Sequence, residues 1–484
     1  MAELITLSGA PEGYDAALLA REAERGPNNH IARDDRRAEA MREGLRFFAP
    51  HLTVLEFPAW DTTPYDRVSP AGDVMATRMS TLAALAHGAV PGKFVVLTTL
   101  NAAIQRVPPR DTLEGASFTA RVGDRINEPA LRGWLARMGF SQAPTVTEPG
   151  DYAIRGGIID IWPPGPSGPI RLDLFGDVLD SARRFDPETQ RSAAKLDRLE
   201  LVPMSEVILD EDAITRFRTT YRTEYGGGAN DPMYEAVSAG RKLAGVEHWL
   251  PWFHDHLDSI FDYLPDAAVM MDDRLDQVRT ARWEMVSEQY AARREAANKR
   301  GADSIYHTVA PEKMFATDAD WAAWLADRRQ LRLSVNAAPP GPGVLNAGGK
   351  VGRNFAPERQ AEQLDLFGAL AAYLRDLQKT HRVVIASFSD GARERLRGLI
   401  ADEGIEGMTD IGRISDLPDQ PGALGLAVWP LEEGFVADGS AEIHQQIYVA
   451  RDNQRAIILG NGGSRIKEIG ARARAELTEL MGRK

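Results

Sequence analysis

The sequence predicts a multidomain protein of α/β and α+β class, in which a parallel sheet is interrupted by an inserted antiparallel α+β domain. Its 484 residues correspond to about three to five domains at roughly 100–200 residues each. Apolar runs alternate with helical patterns near the start of the chain, which is typical of a parallel sheet covered by helices. Beyond residue 117 the pattern changes to short β-rich runs separated by turn residues, which is typical of an antiparallel sheet.

The first unit is predicted over residues 1–116 from this alternation. Its strands and helices are expected in turn at 4–7, 14–24, 52–57, 74–86 and 94–98. The inserted domain is predicted over 117–203. Its helix is expected at 131–138 and its strands at 145–155, 158–162 and 170–174.

Helical patterns return in residues 204–335, where helices are expected at 212–221 and 273–299. The Pro- and Gly-rich segment 336–350 predicts a linker. Residues 351–439 predict a further small α/β domain. Its helices are expected at 358–379 and 391–403, and its strands at 383–387 and 423–429.

The composition excludes several classes of protein. The chain has no cysteine, which excludes disulfides, thiol catalysis and thiolate metal sites. No stretch reaches the roughly 18 apolar residues that span a membrane, and the start lacks a secretory signal, so we expect a cytoplasmic protein. The net charge of −13 argues against a surface that grips nucleic acid throughout.

A nucleotide-binding loop would follow the first strand, and the sequence there is a degenerate version of one. A functional loop has the pattern G-x-x-x-x-G-K-[ST], because its backbone N–H groups and lysine hold phosphate and its hydroxyl holds Mg²⁺. In the register that begins at Gly9 and runs through Gly13, Asp15 takes the lysine position and Ala16 the hydroxyl position. A carboxylate there would repel phosphate, so we predict an inactive phosphate loop and no cofactor.

Two acidic or histidine-rich stretches could be metal sites. Residues 207–212 (VILDED) have the form of an apolar strand followed by Mg²⁺-binding acids, but we favour an acidic helix N-terminus, which suits the helix dipole. His248, His254 and His256 lack the spacing of a zinc site and lie among aromatic residues. We therefore predict a packed aromatic turn and no metal, even though Asp255 and Asp258 lie nearby in the sequence.

Two arginines and an aromatic residue mark a candidate docking patch in the inserted domain. Arg155 ends one predicted strand, Arg171 begins another, and Phe175 ends that same run. Arginine and aromatic side chains dominate the energetics of protein interfaces. The alternative is a surface ion pair with Asp173 or Asp177, and the residues alone favour it.

A glycine-rich loop lies near the end of the chain, within residues 440–484, which carry eight basic and five acidic side chains. A strand is expected at 442–450 and a helix at 464–481. A G-x-x-G loop between two helices is the KH arrangement, in which small residues let a single-stranded nucleic acid approach a helix N-terminus. The residues expected to contact nucleic acid are Gly460, Asn461, Gly462, Gly463, Arg465 and Lys467.

Several long motifs resemble the bacterial transcription-repair coupling factor family (Mfd). They include FPAWD at 57–61, PYDRVSP at 64–70, GDYAIRGGIID at 150–160, RLDLFGD at 171–177 and RFDPETQR at 184–191. The resemblance extends over residues 1–439. It implies a UvrB-like module without helicase chemistry. Residues 1–116 and 204–335 would form its degenerate nucleotide fold, 117–203 a UvrA-binding insert, and 351–439 a small α/β domain.

The resemblance also implies a function for the docking patch. By the family's pattern, Arg155, Arg171 and Phe175 contact UvrA in nucleotide excision repair, which reverses the preference for a simple ion pair. RNA polymerase and duplex DNA are implied as partners only for the full-length family, which is an ATP-dependent translocase.

Residues 440–484 resemble instead the KH domain of the ribosome-assembly GTPase Era, a type II KH unit. Asn461 stands where that family usually has lysine, and the leading helix, the leading strand and the final strand of the domain are missing. The resemblance implies a partial KH unit with RNA as its partner.

The leading hypothesis is a non-enzymatic adaptor that recruits UvrA and carries a KH-like tail. Two alternatives remain open: an RNA-binding protein that acts through residues 460–463, and an ATP-dependent DNA translocase as in the full-length family. The resemblance changes at Gly439 before any motor motif appears, so we expect a truncated module joined to a foreign tail.

Overall fold

The computed structural model describes residues 4–226, 231–300, 307–360, 365–437 and 442–446. It confirms the predicted class, because a seven-stranded parallel sheet, an inserted antiparallel sheet and a second α/β sheet all occur. The elements before the insert are β1 (Leu4–Ser8), α1 (Tyr14–Ala23), β2 (Asn28–Ala32), α2 (Asp35–Phe48), β3 (Thr53–Phe57), α3 (Gly72–Ala86), β4 (Phe94–Thr99), α4 (Leu100–Ala103) and α5 (Arg110–Glu114).

The insert and the return to the first sheet follow in chain order. The insert contains β5 (Phe118–Arg121), α6 (Glu128–Arg137), β6 (Ser141–Gln142), β7 (Asp151–Arg155), β8 (Ile158–Ile161), β9 (Ile170–Phe175), β10 (Val178–Phe185), β11 (Ser192–Leu196) and β12 (Arg198–Leu201). The return contains α7 (Glu211–Tyr225), α8 (Pro232–Ser238), a 3₁₀ helix (Val246–Trp252), β13 (Ala268–Met271), α9 (Leu275–Arg300), α10 (Pro311–Met314), α11 (Asp318–Leu325), β14 (Gln330–Ser334) and β15 (Val344–Asn346).

The first sheet is wholly parallel, with strand order β15-β1-β14-β13-β2-β4-β3. Helices cover both faces, so its inner strands are buried throughout, as in the six buried residues of β4. The sequence did not predict β2, because Asn28, Asn29 and His30 interrupt its apolar pattern although all three are buried.

The insert forms a six-stranded sheet of order β11-β10-β9-β8-β7-β6, beside a two-stranded pair of β5 and β12. Alternate residues such as Ile159, Leu172 and Leu179 are buried and belong to the main core. The other face carries charged side chains together with Ala153 and Phe185 of a small separate apolar cluster. The strand expected at 145–155 begins only at residue 151. Pro144 and Pro149 precede it, and proline cannot donate to a strand ladder.

The second α/β unit contains β16 (Gly349–Val351), α12 (Ala356–Gln360), α13 (Leu366–Gln378), β17 (Arg382–Ser387), α14 (Asp390–Asp402), β18 (Met408–Ile411), a 3₁₀ turn (Ile414–Asp416), β19 (Leu424–Val428), β20 (Phe435–Ala437) and β21 (Glu442–Gln446). Its sheet has the order β16-β20-β21-β17-β19-β18. The helix expected at 358–379 is divided, because the Asp365 side chain caps a new helix at the Gly368 N–H.

The predicted linker and the start of the KH-like tail both contribute strands, the first mainly to the first sheet and the second to the second sheet. The segment 336–350, expected to be a linker, carries β15, which pairs with β1 at the edge of the first sheet, and also the start of β16 at Gly349. The described part of the KH-like tail, β21, lies between β20 and β17 in the second sheet.

Candidate protein-docking site

The outer face of the insert sheet carries the predicted docking residues. Directly opposite residues in an antiparallel pair project from the same face, and Asp160 lies opposite Arg171 while Arg155 lies opposite Ile158. Phe175 lies four residues beyond Arg171 on β9 and therefore shares that face. The structure thus brings the three predicted residues onto one surface.

A buried carboxylate links the two arginines. Arg171 donates from Nε and Nη2 to the two Asp160 carboxylate oxygens at 2.7 and 2.9 Å, and Arg155 donates from Nη2 at 2.6 Å. The Asp160 side chain has no solvent exposure, whereas Arg155 keeps 48% and Arg171 only 17%. Arg155 is thus the more accessible of the two guanidiniums.

The Arg171 guanidinium makes all of these contacts within the insert. Its Nη1 donates to the Gln190 carbonyl at 3.1 Å, and its guanidinium lies 4.7 Å from the centre of the Phe185 ring. The hydrogen bonds to Asp160 raise the pKa of Arg171, so this side chain stays charged. Arg171 therefore positions Asp160, and through it Arg155.

The alternative predicted from the sequence, an ion pair of the arginines with Asp173 or Asp177, does not form. Asp173 accepts a hydrogen bond from Ser181 Oγ at 2.7 Å, and Asp177 pairs with Arg125 at 3.2 Å. Asp160 takes the arginines instead, because the strand register places it directly opposite Arg171. Sequence reasoning missed Asp160, although its alternation with Ile159 and Ile161 is a signal that it faces outward.

Phe175 projects from the rim of the sheet. A two-residue turn joins β9 to β10, and its Gly176 has φ of +68°, which favours glycine in such tight turns. The Phe175 side chain is 84% exposed. A large exposed aromatic side chain at the end of a strand, on the same face as a half-exposed arginine, has the composition of an interface hot spot.

A loop with two glycines follows β1 and leads into α1, at the place predicted for a degenerate phosphate loop. Gly9 and Gly13 have φ of +66° and +92°, and α1 begins at Tyr14. The Asp15 carboxylate accepts from the Gly13 N–H at 2.9 Å and pairs with the Arg37 guanidinium. Burial raises the pKa of Asp15 to about 6.

A second acid completes this buried cluster. Asp272 follows β13, and both of its carboxylate oxygens lie 3.4 Å from nitrogens of Arg37. Sequence reasoning missed Arg37 and Asp272, although the apolar run before Asp272 and Asp273 is a strand-plus-acids signal. The other such run, at 207–212, begins a helix as predicted, because Asp210 caps α7 by accepting from the Ala213 N–H.

The second α/β unit packs directly on the loop. The nearest heavy atoms to a Cβ built on Gly13 would be Leu431 Cδ1 at 2.5 Å and Phe435 Cε1 at 2.9 Å. The Tyr14 hydroxyl donates to the Ala347 carbonyl at 2.9 Å, and its ring lies 5.6 Å from that of Phe435. The edge where a nucleotide would bind in an active loop is thus filled by protein.

The histidine-rich stretch is packed at His248 and His254, as predicted, whereas the His256 side chain is 67% exposed. Burial lowers the pKa of His248 and of His254 to about 4, and His248 packs edge-on against Trp60. Within the described ranges, no three histidine or acidic side chains converge in the manner of a metal site. None of the helices in the described part of the chain is long and apolar enough to cross a membrane.

The predicted nucleic-acid loop lies outside the described residues. Its members are Gly460, Asn461, Gly462, Gly463, Arg465 and Lys467.

The fold and the site together define a multidomain α/β protein whose inserted domain exposes arginine and phenylalanine on one face. Among known families, residues 118–207 match the UvrB interaction domain. Residues 432–484 match the KH domain.

The chain is homologous to transcription-repair-coupling factors. It is 30% identical to the Escherichia coli protein of that name over 427 residues, which cover 87% of this chain and 36% of that protein. It is 26% identical to the Haemophilus influenzae protein over 434 residues, which cover 89% of this chain and 36% of that protein. The Myxococcus xanthus protein is 32% identical over 309 residues, which cover 59% of this chain and 25% of that protein. The chain thus spans about a third of the length of the first two relatives.

Proposed function

We propose that this chain is a non-enzymatic docking adaptor of nucleotide excision repair that recruits UvrA through the outer face of its insert. The observation that carries the proposal is the 84% exposure of Phe175 at the rim of the insert sheet, on the same face as Arg155. The match of residues 118–207 to the UvrB interaction domain supports the same repair context.

The three docking residues have different roles in this proposal. Phe175 enters an apolar recess of UvrA, and Arg155 binds a polar group beside that recess. Arg171 is a positioning residue, because its hydrogen bonds to Asp160 and Gln190 use its donors within the insert. A rigid, preorganised face reduces the entropy lost on binding.

Titration of the purified chain with UvrA tests the proposal. Phe175→Ala should weaken binding by at least tenfold, since buried aromatic anchors contribute about 2 kcal/mol or more to an interface. Leu345→Ala is the matched control, because Leu345 is an exposed apolar residue on β15 of the first sheet. If Phe175→Ala binds UvrA as tightly as the parent and the control, the docking proposal is wrong.

A second candidate function is RNA binding through the tail. The match of residues 432–484 to the KH domain favours it, and the loop 460–463 has the G-x-x-G pattern. Titration with single-stranded RNA at several salt concentrations should then show salt-sensitive binding, which Gly462→Asp abolishes. Binding that Gly462→Asp leaves unchanged would assign the RNA contact to another part of the chain.

We propose further that the chain does not hydrolyse ATP. The Asp15 carboxylate, Arg37 and Asp272 occupy the phosphate edge, and Leu431 and Phe435 pack on Gly13. The test is an ATPase assay on the purified chain with and without duplex DNA. DNA-stimulated hydrolysis would favour the translocase alternative.

A further inference from the structure

A row of cations crosses the outer face of the insert sheet beyond the residues discussed above. Arg171 lies opposite Arg183 on β10, and Arg183 lies opposite Lys195 on β11. Directly opposite residues share a face, so these three side chains form one line across adjacent strands. Asp160 stands at one end of the line, opposite Arg171.

The three cations of the row differ in whether an acidic side chain neutralises them. Arg171 is bound to Asp160, to the Gln190 carbonyl and to the Phe185 ring. The Arg183 side chain makes no ion pair with any residue that the structure describes, and its buried Nε has no acceptor there. Lys195 is exposed and likewise has no acidic partner among the described residues.

This arrangement opposes the stability of the isolated insert. Like charges directly opposite each other destabilise a sheet, and a buried N–H without an acceptor loses the hydrogen bond it would make to water. Neighbouring strands lie about 4.8 Å apart, so one carboxylate placed above β10 and β11 would reach both Arg183 and Lys195. An acidic partner surface would remove both penalties at once.

The apolar part of the same face lies at a defined distance from the cations. Phe175 is four residues beyond Arg171 on β9, which corresponds to roughly 13 Å along the strand. Ile158, which is 37% exposed, lies opposite Arg155 at the same end. The face is therefore apolar at the Phe175 rim and cationic around β10 and β11.

We propose that Arg183 and Lys195 are specificity-determining contacts that bind an acidic patch of the docked partner protein, about one strand length from the recess that receives Phe175. This inference rests on the proposed docking function and deepens it, because it states the charge that the partner must present. It favours a protein over a nucleic acid, since the same face exposes Phe175 and Ile158 next to the carboxylate of Asp173.

The test is a titration of the full chain with UvrA at low and moderate salt. The double variant Arg183→Glu with Lys195→Glu should weaken binding at least thirtyfold at low salt, and its affinity should depend less on salt than that of the parent. Arg184→Glu is the control for each single reversal, Arg183→Glu or Lys195→Glu, because it makes the same charge change at the residue next to Arg183, which is exposed where the register of β10 shifts. The control should stay within threefold of the parent.

The outcomes separate this inference from the docking proposal. If Phe175→Ala weakens binding but the double variant binds like the parent, docking stands and the acidic-patch inference is wrong. If Phe175→Ala has no effect, the docking proposal itself fails. A loss in Arg184→Glu equal to that in Lys195→Glu alone would show that only net charge matters, and would overturn the inference.

Two further measurements exclude misfolding of the variants and binding of nucleic acid as explanations. Circular dichroism and thermal unfolding establish that each variant is folded. Should the double variant unfold, Lys195→Glu alone, at an exposed position, must still weaken binding at least fivefold for the inference to hold. If single-stranded DNA binds the parent and Lys195→Glu removes that binding while UvrA affinity stays unchanged, the cations serve nucleic acid and the protein partner is rejected.

Discussion

The Arg171 guanidinium grips the fully buried Asp160 carboxylate with two hydrogen bonds of 2.7 and 2.9 Å. This pair lies in the middle of the face that we propose as the docking site. Arg155 adds a third hydrogen bond to the same carboxylate from the solvent side. The pair therefore sets the position of the exposed arginine as well as the stability of the insert.

Arg171→Ala should mainly lower the stability of the insert, whereas Arg155→Ala should mainly lower the affinity for UvrA. Arg171→Ala leaves a buried carboxylate with one partially exposed cation, so local stability should fall by about 3 kcal/mol. Arg155→Ala removes a half-exposed side chain and should cost less than about 1 kcal/mol of stability while it weakens UvrA binding. Hydrogen exchange of the β8 and β9 amides reports the stability, and a UvrA titration reports the binding. Equal loss of amide protection in both variants would contradict the assignment of Arg171 as the positioning residue.

Gly13→Ala should weaken the contact between the first unit and the second α/β unit. The new Cβ would meet Leu431 and Phe435 at 2.5 and 2.9 Å, and the φ of +92° disfavours any side chain. We expect a loss of about 2–4 kcal/mol, measured by thermal unfolding. Gly88→Ala is the control, because its φ is +58° but nothing lies within 4 Å of the new Cβ. It should cost about 1 kcal/mol, and a cost equal to that of Gly13→Ala would rule out the packing explanation.

The histidine-rich turn should make the protein less stable in mild acid. Burial lowers the pKa of His248 and His254 to about 4, whereas each returns to its ordinary value near 6.5 on unfolding. Between these values the unfolded state binds more protons, so stability falls as the pH decreases. Each histidine should contribute a loss of about 2 kcal/mol between pH 7.5 and pH 5.

Thermal unfolding across that pH range measures this effect. His254→Gln should flatten the profile, whereas His256→Gln should not, because the His256 side chain is 67% exposed. Asp15 has the opposite effect, because its raised pKa makes its burial less costly in acid. This contribution is the same in the parent and in the variants, so it cancels when their stability profiles are subtracted. An unchanged profile in His254→Gln would mean that this imidazole is not buried in solution.

The fully buried pair of Arg78 and Glu206 should be essential for the core around α3. Arg78 Nε donates to Glu206 at 2.7 Å, and its guanidinium lies 4.2 Å from the centre of the Phe57 ring. Arg78→Met should lower the free energy of unfolding by about 3–5 kcal/mol, because the buried Glu206 carboxylate loses the Arg78 guanidinium and keeps, among the described residues, only the hydrogen bond from Trp60 Nε1. The double variant with Glu206→Leu should recover part of that loss in denaturant titrations. Additive losses in the two single variants would contradict direct coupling.

The pattern of residues predicted much of this fold. The apolar run of β4, the long helix α9 and the alternation of β8 and β9 were visible, because strand and helix periods are local properties. Strand β2 was not visible, because buried Asn28, Asn29 and His30 break the apolar period on which such a prediction rests.

Some features of the candidate site were likewise predictable from the sequence, and others were not. The sequence by itself predicted that Asp15 takes the lysine position of a phosphate loop, and its long motifs, which contain Arg155, Arg171 and Phe175, carry the resemblance to the coupling factors. Only the tertiary structure decided which charges are free. Strand register places Asp160 against Arg171 and Arg183 against Lys195, and helix packing places Arg37 against Asp272. Charge pairing depends on distances between residues far apart in the chain, and no local pattern encodes those distances.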